Sequence, residues 1–275
     1  MALPLIIIAA TNFSPKANNA VVYAAEFAKV LGAKLILTNS FFFLEDGAQS
    51  LKSDDLAQNE LVKATGRLEH LGKDLSKIFN IVVEFFCDYS LLEEQLFFLT
   101  KDIKVEFIVM WMSDRSFDED LKDDSMVSFI KKIKIPVLSV PERARFRNAK
   151  KILFAFNDLS LSSVEKLFWF TQITDDLQAE IEFFSIDEKV EELIQVQDKL
   201  NTADRDGFQP VKFVYKSIKA STLVNEIKLE IKTYNADILI LVLKKDGFWD
   251  SLVHISKTKN MVAGLDIPLL YLPDF

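Results

Sequence analysis

One seven-residue pattern occurs twice in this chain of 275 residues, and it constrains the fold more than any other feature. Ile-Pro-x-Leu-x-x-Pro stands at Ile135–Pro141 and again, 132 residues later, at Ile267–Pro273. Two copies of one unit, residues 1–146 and 147–275, are therefore predicted. Two further pairs of matching apolar segments support this interpretation: Glu106–Met110 with Asp237–Leu241, and Leu5–Ala10 with Lys151–Phe156.

Short apolar segments alternate with longer segments of helical period in both copies. Such alternation is typical of a parallel sheet covered by helices on both faces, and it predicts an α/β layer fold with five strands per copy. The predicted strands are Leu5–Ala10, Ala33–Asn39, Ile81–Cys87, Val105–Trp111 and Ile135–Val140, then 151–156, 178–184, 210–216, 237–243 and 267–272.

The helices between these strands carry end signals of different strength. Ser14 and Pro15 stand where the N-cap and first residue of a helix are expected, and Gly32 stands just past its end. The further predicted helices of the first copy run over about Ser50–Phe79 and Leu91–Lys101 and from about Asp124; the second helix of the second copy covers about Glu188–Asn201.

Composition excludes several classes of protein. The 24 Phe, 5 Tyr and 3 Trp are spread along the chain, which excludes disorder. The formal net charge of −8 would repel a phosphate backbone, so we expect no nucleic-acid partner. No apolar run approaches the roughly 18–20 residues that a membrane span needs, so no membrane partner is expected either.

Cysteine and histidine are too scarce for a disulfide, a metal site or a catalytic triad. Cys87 is the single cysteine, and His70 and His254 are the two histidines, one in each copy. We expect Cys87 to end a buried strand and to have a raised thiol pKa, which predicts packing instead of reactivity. The lone cysteine favours the cytoplasm, and no catalytic residue is identified.

Four segments together resemble a universal stress protein, and the second half resembles the same domain more weakly. The segments are Ile8–Ser14, the helix with Tyr23–Ala28, the strand Ile108–Met110 and the terminal Ile135–Leu138. The resemblance implies two tandem five-stranded domains of the Rossmann-like, adenine nucleotide alpha hydrolase-like type. It also implies an ATP site at the carboxyl ends of the strands. The positions that correspond to this vestigial site are Thr11, Asn12, Asn39, Met112, Asp114, Ser125, Asn157, Lys244, Lys245 and Ser256.

Those positions depart from what ATP-binding relatives use. Asn12 and Asn157 replace the Asp after the first strand, and no glycine stands between Gly72 and Gly207, where a phosphate loop needs close backbone approach. Six acidic residues also fall within Asp114–Asp124. Each like-charge contact at about 4 Å costs about 1–4 kcal/mol, so ATP is disfavoured as a cofactor unless a divalent ion bridges the charges.

The second copy has positive charge at the position that corresponds to the phosphate loop. Lys244 and Lys245 follow its fourth strand, where they could meet an anion or form a solvated pair at the strand end. Ser125 and Ser256 stand at the predicted start of the last helix of each copy. A hydroxyl at this position could contact a phosphate or serve as the N-cap of the helix. We favour the solvated pair and the caps.

Three other segments bear on partners. The basic run Arg143–Lys151 is interpreted as a charged connector, while Phe41–Phe43 and Phe97–Phe98 are expected in the core or an interface, with a pocket for an apolar ligand as the alternative. The last strands of the copies, Ile135–Val140 and Ile267–Leu272, are predicted to pack together and give an intramolecular pseudo-dimer. An antiparallel pairing would give a local two-fold axis, and a homodimer through other surfaces stays open.

The sequence therefore predicts a cytoplasmic, non-enzymatic universal stress protein with a regulatory or scaffold role in the stress response and with protein partners that it does not name. A nucleotide-binding member with weak ATPase activity and a carrier of a small apolar ligand are the alternatives.

Overall fold

The computed structural model describes residues 5–40, 53–101, 103–111, 133–147, 149–156, 177–185, 212–215, 223–243 and 266–273. The chain divides into two compact units, Met1–Trp111 and Met112–Phe275. The helices predicted from about Asp124 and over about Glu188–Asn201 lie outside the described residues.

The first unit is built on a parallel sheet. Its strand order is β3-β2-β1-β4, and each neighbouring pair is parallel. The side chains of Ile7, Ile8 and Ala9 are fully buried, because β1 has a strand on either side and helices pack against the sheet. The strands are β1 (Ile6–Ala10), β2 (Lys34–Ser40), β3 (Val83–Asp88) and β4 (Phe107–Met110).

Three helices are described in this unit: α1 (Pro15–Leu31), α2 (Ser53–Phe79) and α3 (Leu92–Thr100). The predicted ends of α1 are confirmed. The Ser14 hydroxyl accepts from the Ala17 N–H at 3.2 Å, and Gly32 adopts φ 61 beyond the last turn. Among the described helices none is both long and apolar enough to cross a membrane.

The helices cover both faces of the first sheet. Helices α1 and α2 contact each other and the same sheet, and Gly72 of α2 packs against Leu37 of β2. Successive side chains of a strand point to opposite faces, so Thr38 points away from α2. The Thr38 hydroxyl donates a hydrogen bond to Gln95 of α3, so α3 lies on the face opposite to α2. The predicted α/β layer architecture is confirmed.

Strand β3 is less buried than the sequence predicts. Within the described part of the first unit it pairs with β2 alone, so one edge of its backbone lacks a described strand. Glu84 and Phe85 are exposed, and Cys87 is half-buried. The expectation that Cys87 ends a buried strand is therefore wrong, because an edge strand packs against fewer neighbours than a central one.

The second unit contains six described strands in the order β5-β10-β9-β6-β7-β8 and one described helix, α4 (Leu223–Tyr234). The order β8-β7-β6-β9 is the order of the four strands of the first unit. The pairs from β10 to β8 are parallel. The strands are β5 (Val137–Ser139), β6 (Lys151–Phe156), β7 (Glu180–Ser185), β8 (Lys212–Tyr215), β9 (Ile238–Leu243) and β10 (Leu269–Pro273).

The two last strands of the predicted copies pair within this second unit. Strand β5 runs antiparallel to β10, with Leu138 opposite Leu270 and Val137 opposite Tyr271. This strand pairing was predicted from the sequence and is confirmed. Because β5 pairs with β10, the compact units do not follow the predicted boundary between residues 146 and 147. That boundary and the pseudo-dimer stay predictions about the duplicated sequence.

Candidate functional site

Polar side chains gather at the carboxyl ends of β1 and β2 in the first unit. Strands β2 and β3 lie on one side of β1 and strand β4 lies on the other. The order in which the chain adds strands to the sheet therefore changes direction at β1. Open α/β sheets bind ligands at such a switch point. Thr11 and Asn12 follow β1, and Asn39 is the next-to-last residue of β2.

The turn between β1 and α1 is held by its own side chains. The Thr11 hydroxyl accepts from the Phe13 N–H at 2.9 Å and donates to Asn18 Oδ1 at 3.0 Å. Asn12 Oδ1 accepts from the Ser14 N–H at 3.0 Å, a turn that Asn forms readily. Phe13 adopts φ 63, which is uncommon for a residue with a β-carbon. The hydrogen bonds on either side of Phe13 stabilise this conformation.

A buried chain of hydrogen bonds joins β1, β2 and α3. The Asn39 amide donates to the Thr11 carbonyl oxygen at 2.6 Å, and the Gln95 amide donates to the Asn39 carbonyl oxygen at 3.1 Å. Gln95 Oε1 lies 3.0 Å from the Thr38 hydroxyl, which donates to it. Gln95 is 1% exposed and Asn39 6% exposed. In this setting each bond satisfies a group that would otherwise be costly to bury.

Cys87 is attached to the same network. Its thiol lies 3.7 Å from Asn39 Oδ1, as a weak donor. Burial raises the pKa of the Cys87 thiol, a hydrogen bond with Thr65 opposes this shift, and the nearby Asp88 carboxylate adds to it. The predicted direction of the pKa is therefore confirmed although the strand is not fully buried. A thiol with a raised pKa is a poor nucleophile at neutral pH.

Aromatic rings and cations border the polar network. The Arg67 guanidinium of α2 lies 3.9 Å from the centre of the Phe13 ring, and Lys16 Nζ lies 5.5 Å from the centre of the Trp111 ring. Trp111 follows β4 and is half-buried. An indole and a lysine therefore stand beside the switch point between β1 and β4.

The structure brings together three of the ten predicted site residues: Thr11, Asn12 and Asn39. Met112, Asp114, Ser125, Asn157, Lys244, Lys245 and Ser256 lie outside the described residues. Sequence reasoning missed Gln95 and Thr38, which connect the network. A signal for Gln95 was present, because Leu92, Leu96 and Leu99 form one stripe of the helix and position 95 falls within it.

The two phenylalanines that follow Gln95 are not in the core. Phe97 is 71% exposed and Phe98 is 66% exposed. They stand on the far side of α3 from the leucine stripe, so the expectation of core packing is wrong for this pair. Phe98 stacks on Phe86 with ring centres 6.1 Å apart. The Phe41–Phe43 segment lies outside the described residues, and a partner interface for Phe97 and Phe98 stays a prediction.

The part of the chain that the structure describes contains no cluster of metal ligands. No group of three or more His, Cys, Asp or Glu side chains there could hold a metal ion.

Comparison with known proteins gives a match in structure but not in sequence. No protein-family model matches the chain, and no curated protein does. A universal stress protein from Archaeoglobus fulgidus is similar over 98% of this chain and 96% of its own, with 13% identity and a TM-score of 0.73. A candidate universal stress protein from Pseudomonas aeruginosa is similar over 98% and 92%, with 15% identity and a TM-score of 0.53.

A third solved structure is the cytoplasmic domain of a prokaryotic cation chloride cotransporter. It covers 98% of this chain and 94% of its own, with 11% identity and a TM-score of 0.58. Identities at this level establish the fold alone. The chain thus has the Rossmann-like α/β fold of universal stress proteins, as the sequence resemblance implied.

Proposed function

We propose that this chain is a non-enzymatic universal stress protein of the cytoplasm, with a degenerate nucleotide site and a regulatory or scaffold role in the stress response. One observation carries the proposal. The polar side chains at the carboxyl ends of β1 and β2 are hydrogen-bonded to neighbouring main-chain groups and side chains, at the place where a nucleotide would need them.

The energetics favour a closed network over a bound nucleotide. A nucleotide that takes the N–H groups by which Asn39 and Gln95 hold this network must break hydrogen bonds of 2.6 Å and 3.1 Å. Each buried group left without a partner costs about 1–3 kcal/mol. Micromolar affinity corresponds to about 8 kcal/mol, so two or three such losses remove a large part of it.

Asn12 supports the same conclusion. Its side-chain oxygen is engaged by the Ser14 N–H, so this residue forms the turn instead of presenting a carboxylate to a ligand. The resemblance implies that ATP-binding relatives have an aspartate at this place. An amide is neutral and cannot form the charge-assisted hydrogen bonds of a carboxylate.

The likeness to a transporter's cytoplasmic domain is consistent with a role other than catalysis. In that protein the fold belongs to a domain of a transporter, and one fold hosts many unrelated functions. We therefore place the function in interactions with protein partners instead of turnover of a substrate.

Calorimetric titration of the full chain with Mg-ATP, and separately with AMP, tests this proposal. We expect no saturable heat at ligand concentrations up to about 1 mM. A Kd of 1 mM corresponds to a binding free energy of only about 4 kcal/mol. An Asp114→Gly variant tests the contribution of the six acidic residues within Asp114–Asp124. Micromolar Mg-ATP binding to the unmodified chain would contradict the proposal.

If Mg-ATP does bind, two variants show which part of the chain binds it. Loss of binding in Lys244→Ala/Lys245→Ala would favour the alternative of a nucleotide-binding second copy, and ATP hydrolysis would then be measured on the same protein. Loss of binding in Asn39→Ala would show that the network of the first unit opens for the ligand, which contradicts its closed state.

A further inference from the structure

The connector between β5 and β6 is the most basic segment of an acidic chain. Residues 141–151 contain five cations and one carboxylate, while the whole chain has a formal net charge of −8. A connector needs only to span its two strands, and that requirement does not explain the concentration of arginine. We name the three alternate residues Arg143, Arg145 and Arg147 the arginine strap.

This connector is anchored to the second unit by backbone and side-chain contacts. The Ala144 N–H donates to the Pro141 carbonyl oxygen at 3.1 Å, which closes a turn. Ala144 and Ala149 are 4% and 1% exposed, so the segment is buried at two points. Lys150 Nζ donates to the Leu177 carbonyl oxygen at 2.8 Å. These contacts stabilise the described residues on both sides of the strap.

Exposure alternates along the strap. Its three arginines are exposed, whereas Ala144 is buried and Phe146 is half-buried. The guanidinium groups consequently stand on the outer side of the segment. Four residues span at most about 14 Å, so the three cations lie within the length of a short peptide.

Arg145 also has a positioning role. Its Nη1 donates to the carbonyl oxygens of Glu142 and Ala144, at 3.2 Å and 2.9 Å. These bonds stabilise the turn that carries Arg143.

We propose that the arginine strap docks an acidic, carboxylate-rich extended segment of a partner protein. The planar guanidinium fork pairs with carboxylates in two parallel hydrogen bonds, which a lysine cannot reproduce. Side chains on one side of an extended peptide recur at every second residue, which is also the spacing of the strap in sequence.

The charge of the chain favours a short acidic segment over a nucleic acid. A nucleic acid carries a long, dense row of phosphates that contacts a broad protein surface. The acidic remainder of this chain would repel those phosphates. A peptide of a few carboxylates meets the strap alone. The proposal does not depend on whether the strand ends of the first unit bind a nucleotide.

Fluorescence anisotropy with a labelled twelve-residue peptide of alternating glutamate and serine tests the proposal on the full chain. We compare the unmodified chain with Arg143→Glu/Arg147→Glu. The matched control is Lys77→Glu/Lys101→Glu, because both lysines are exposed, lie in the first unit and give the same change of net charge. All variants must retain the circular dichroism spectrum of the unmodified chain.

We expect the strap variant to weaken binding at least about 10-fold and the lysine variant less than about 3-fold, since specific charged hydrogen bonds exceed general attraction. Arg143→Lys/Arg147→Lys, which keeps the charge but not the fork, should lose affinity by an intermediate factor. Equal losses in the strap and lysine variants would overturn the proposal. Tighter binding of an oligothymidylate of equal charge, lost in the strap variant, would overturn it in favour of a nucleic-acid surface.

Discussion

The side-chain amide of Asn39 donates to the main-chain oxygen of Thr11 at 2.6 Å, which joins the ends of two neighbouring strands. Both residues are candidates for contacting a ligand, and in the structure they are hydrogen-bonded to each other. The Gln95 amide extends this connection to α3. These hydrogen bonds form a network at the strand ends of the first unit. We therefore expect its disruption to lower the free energy of unfolding.

Replacement of Gln95 by leucine should destabilise the protein. The substitution keeps most of the side-chain volume but removes both hydrogen bonds of this buried side chain, to the Asn39 carbonyl oxygen and from the Thr38 hydroxyl, a loss of about 1–3 kcal/mol in the free energy of unfolding. Urea unfolding measures it. The control is Glu94→Gln, an exposed neighbour on the same helix, which should change stability by less than about 0.5 kcal/mol. Equal effects of the two substitutions would contradict the network.

The ends of elements could be predicted from the sequence because they depend on neighbouring residues. Ser14 caps α1 by accepting from an N–H three residues later, and Gly32 ends it with a left-handed conformation. Both are local events with their own sequence signals. The Ile-Pro-x-Leu-x-x-Pro repeats likewise predicted the pairing of β5 with β10, since matching apolar strand edges need cover.

The burial of α3 and β3 could not be predicted in the same way. Residue type suggests that Phe97 is inside and Gln95 outside, whereas the structure has the opposite arrangement. The leucine stripe of α3 determines which side faces the sheet, and polar partners on β2 then stabilise Gln95. The exposure of β3 depends on its position in the strand order, which is a property of the tertiary fold.

Two glycines of similar surroundings should respond to alanine in opposite directions. Gly32 has φ 61, so Gly32→Ala should lower the free energy of unfolding by about 1 kcal/mol although no atom obstructs the added methyl group. Gly66 lies within α2 and is equally open, so Gly66→Ala should raise it by about 0.5–1 kcal/mol. Chemical denaturation of both variants checks the signs, and two changes of the same sign would contradict the assigned conformations.

Two phenylalanines of the first unit should differ sharply in their contribution to stability. Phe97 is 71% exposed, so Phe97→Ala should cost less than about 1 kcal/mol. Phe107 is 2% exposed, and its ring centre lies 5.1 Å from that of Phe27, so Phe107→Ala should cost about 3–5 kcal/mol. Thermal unfolding at one pH compares them. A large cost at Phe97 in the monomer would indicate that this ring is packed.

Alkaline pH should destabilise the second unit through Tyr271. Burial raises the pKa of Tyr271, because the folded chain disfavours the phenolate in a fully buried position. The unfolded chain ionises near pH 10, so the stabilisation is complete below that pH and is lost as the pH rises above it. In Tyr271→Phe the free energy of unfolding should fall less steeply above about pH 10. Parallel pH profiles for the variant and the unmodified chain would show that this phenol ionises freely in the folded state.

The most direct measurement is heteronuclear NMR of the side-chain amide groups of Asn39 and Gln95 in the full chain, with and without Mg-ATP. Both amides donate within the network, so their signals report whether it stays closed. We predict that neither signal moves when Mg-ATP is raised to about 1 mM, a level at which any complex of useful affinity would be populated. Saturable shifts of both amide signals at micromolar Mg-ATP would contradict a closed, degenerate site in the first unit.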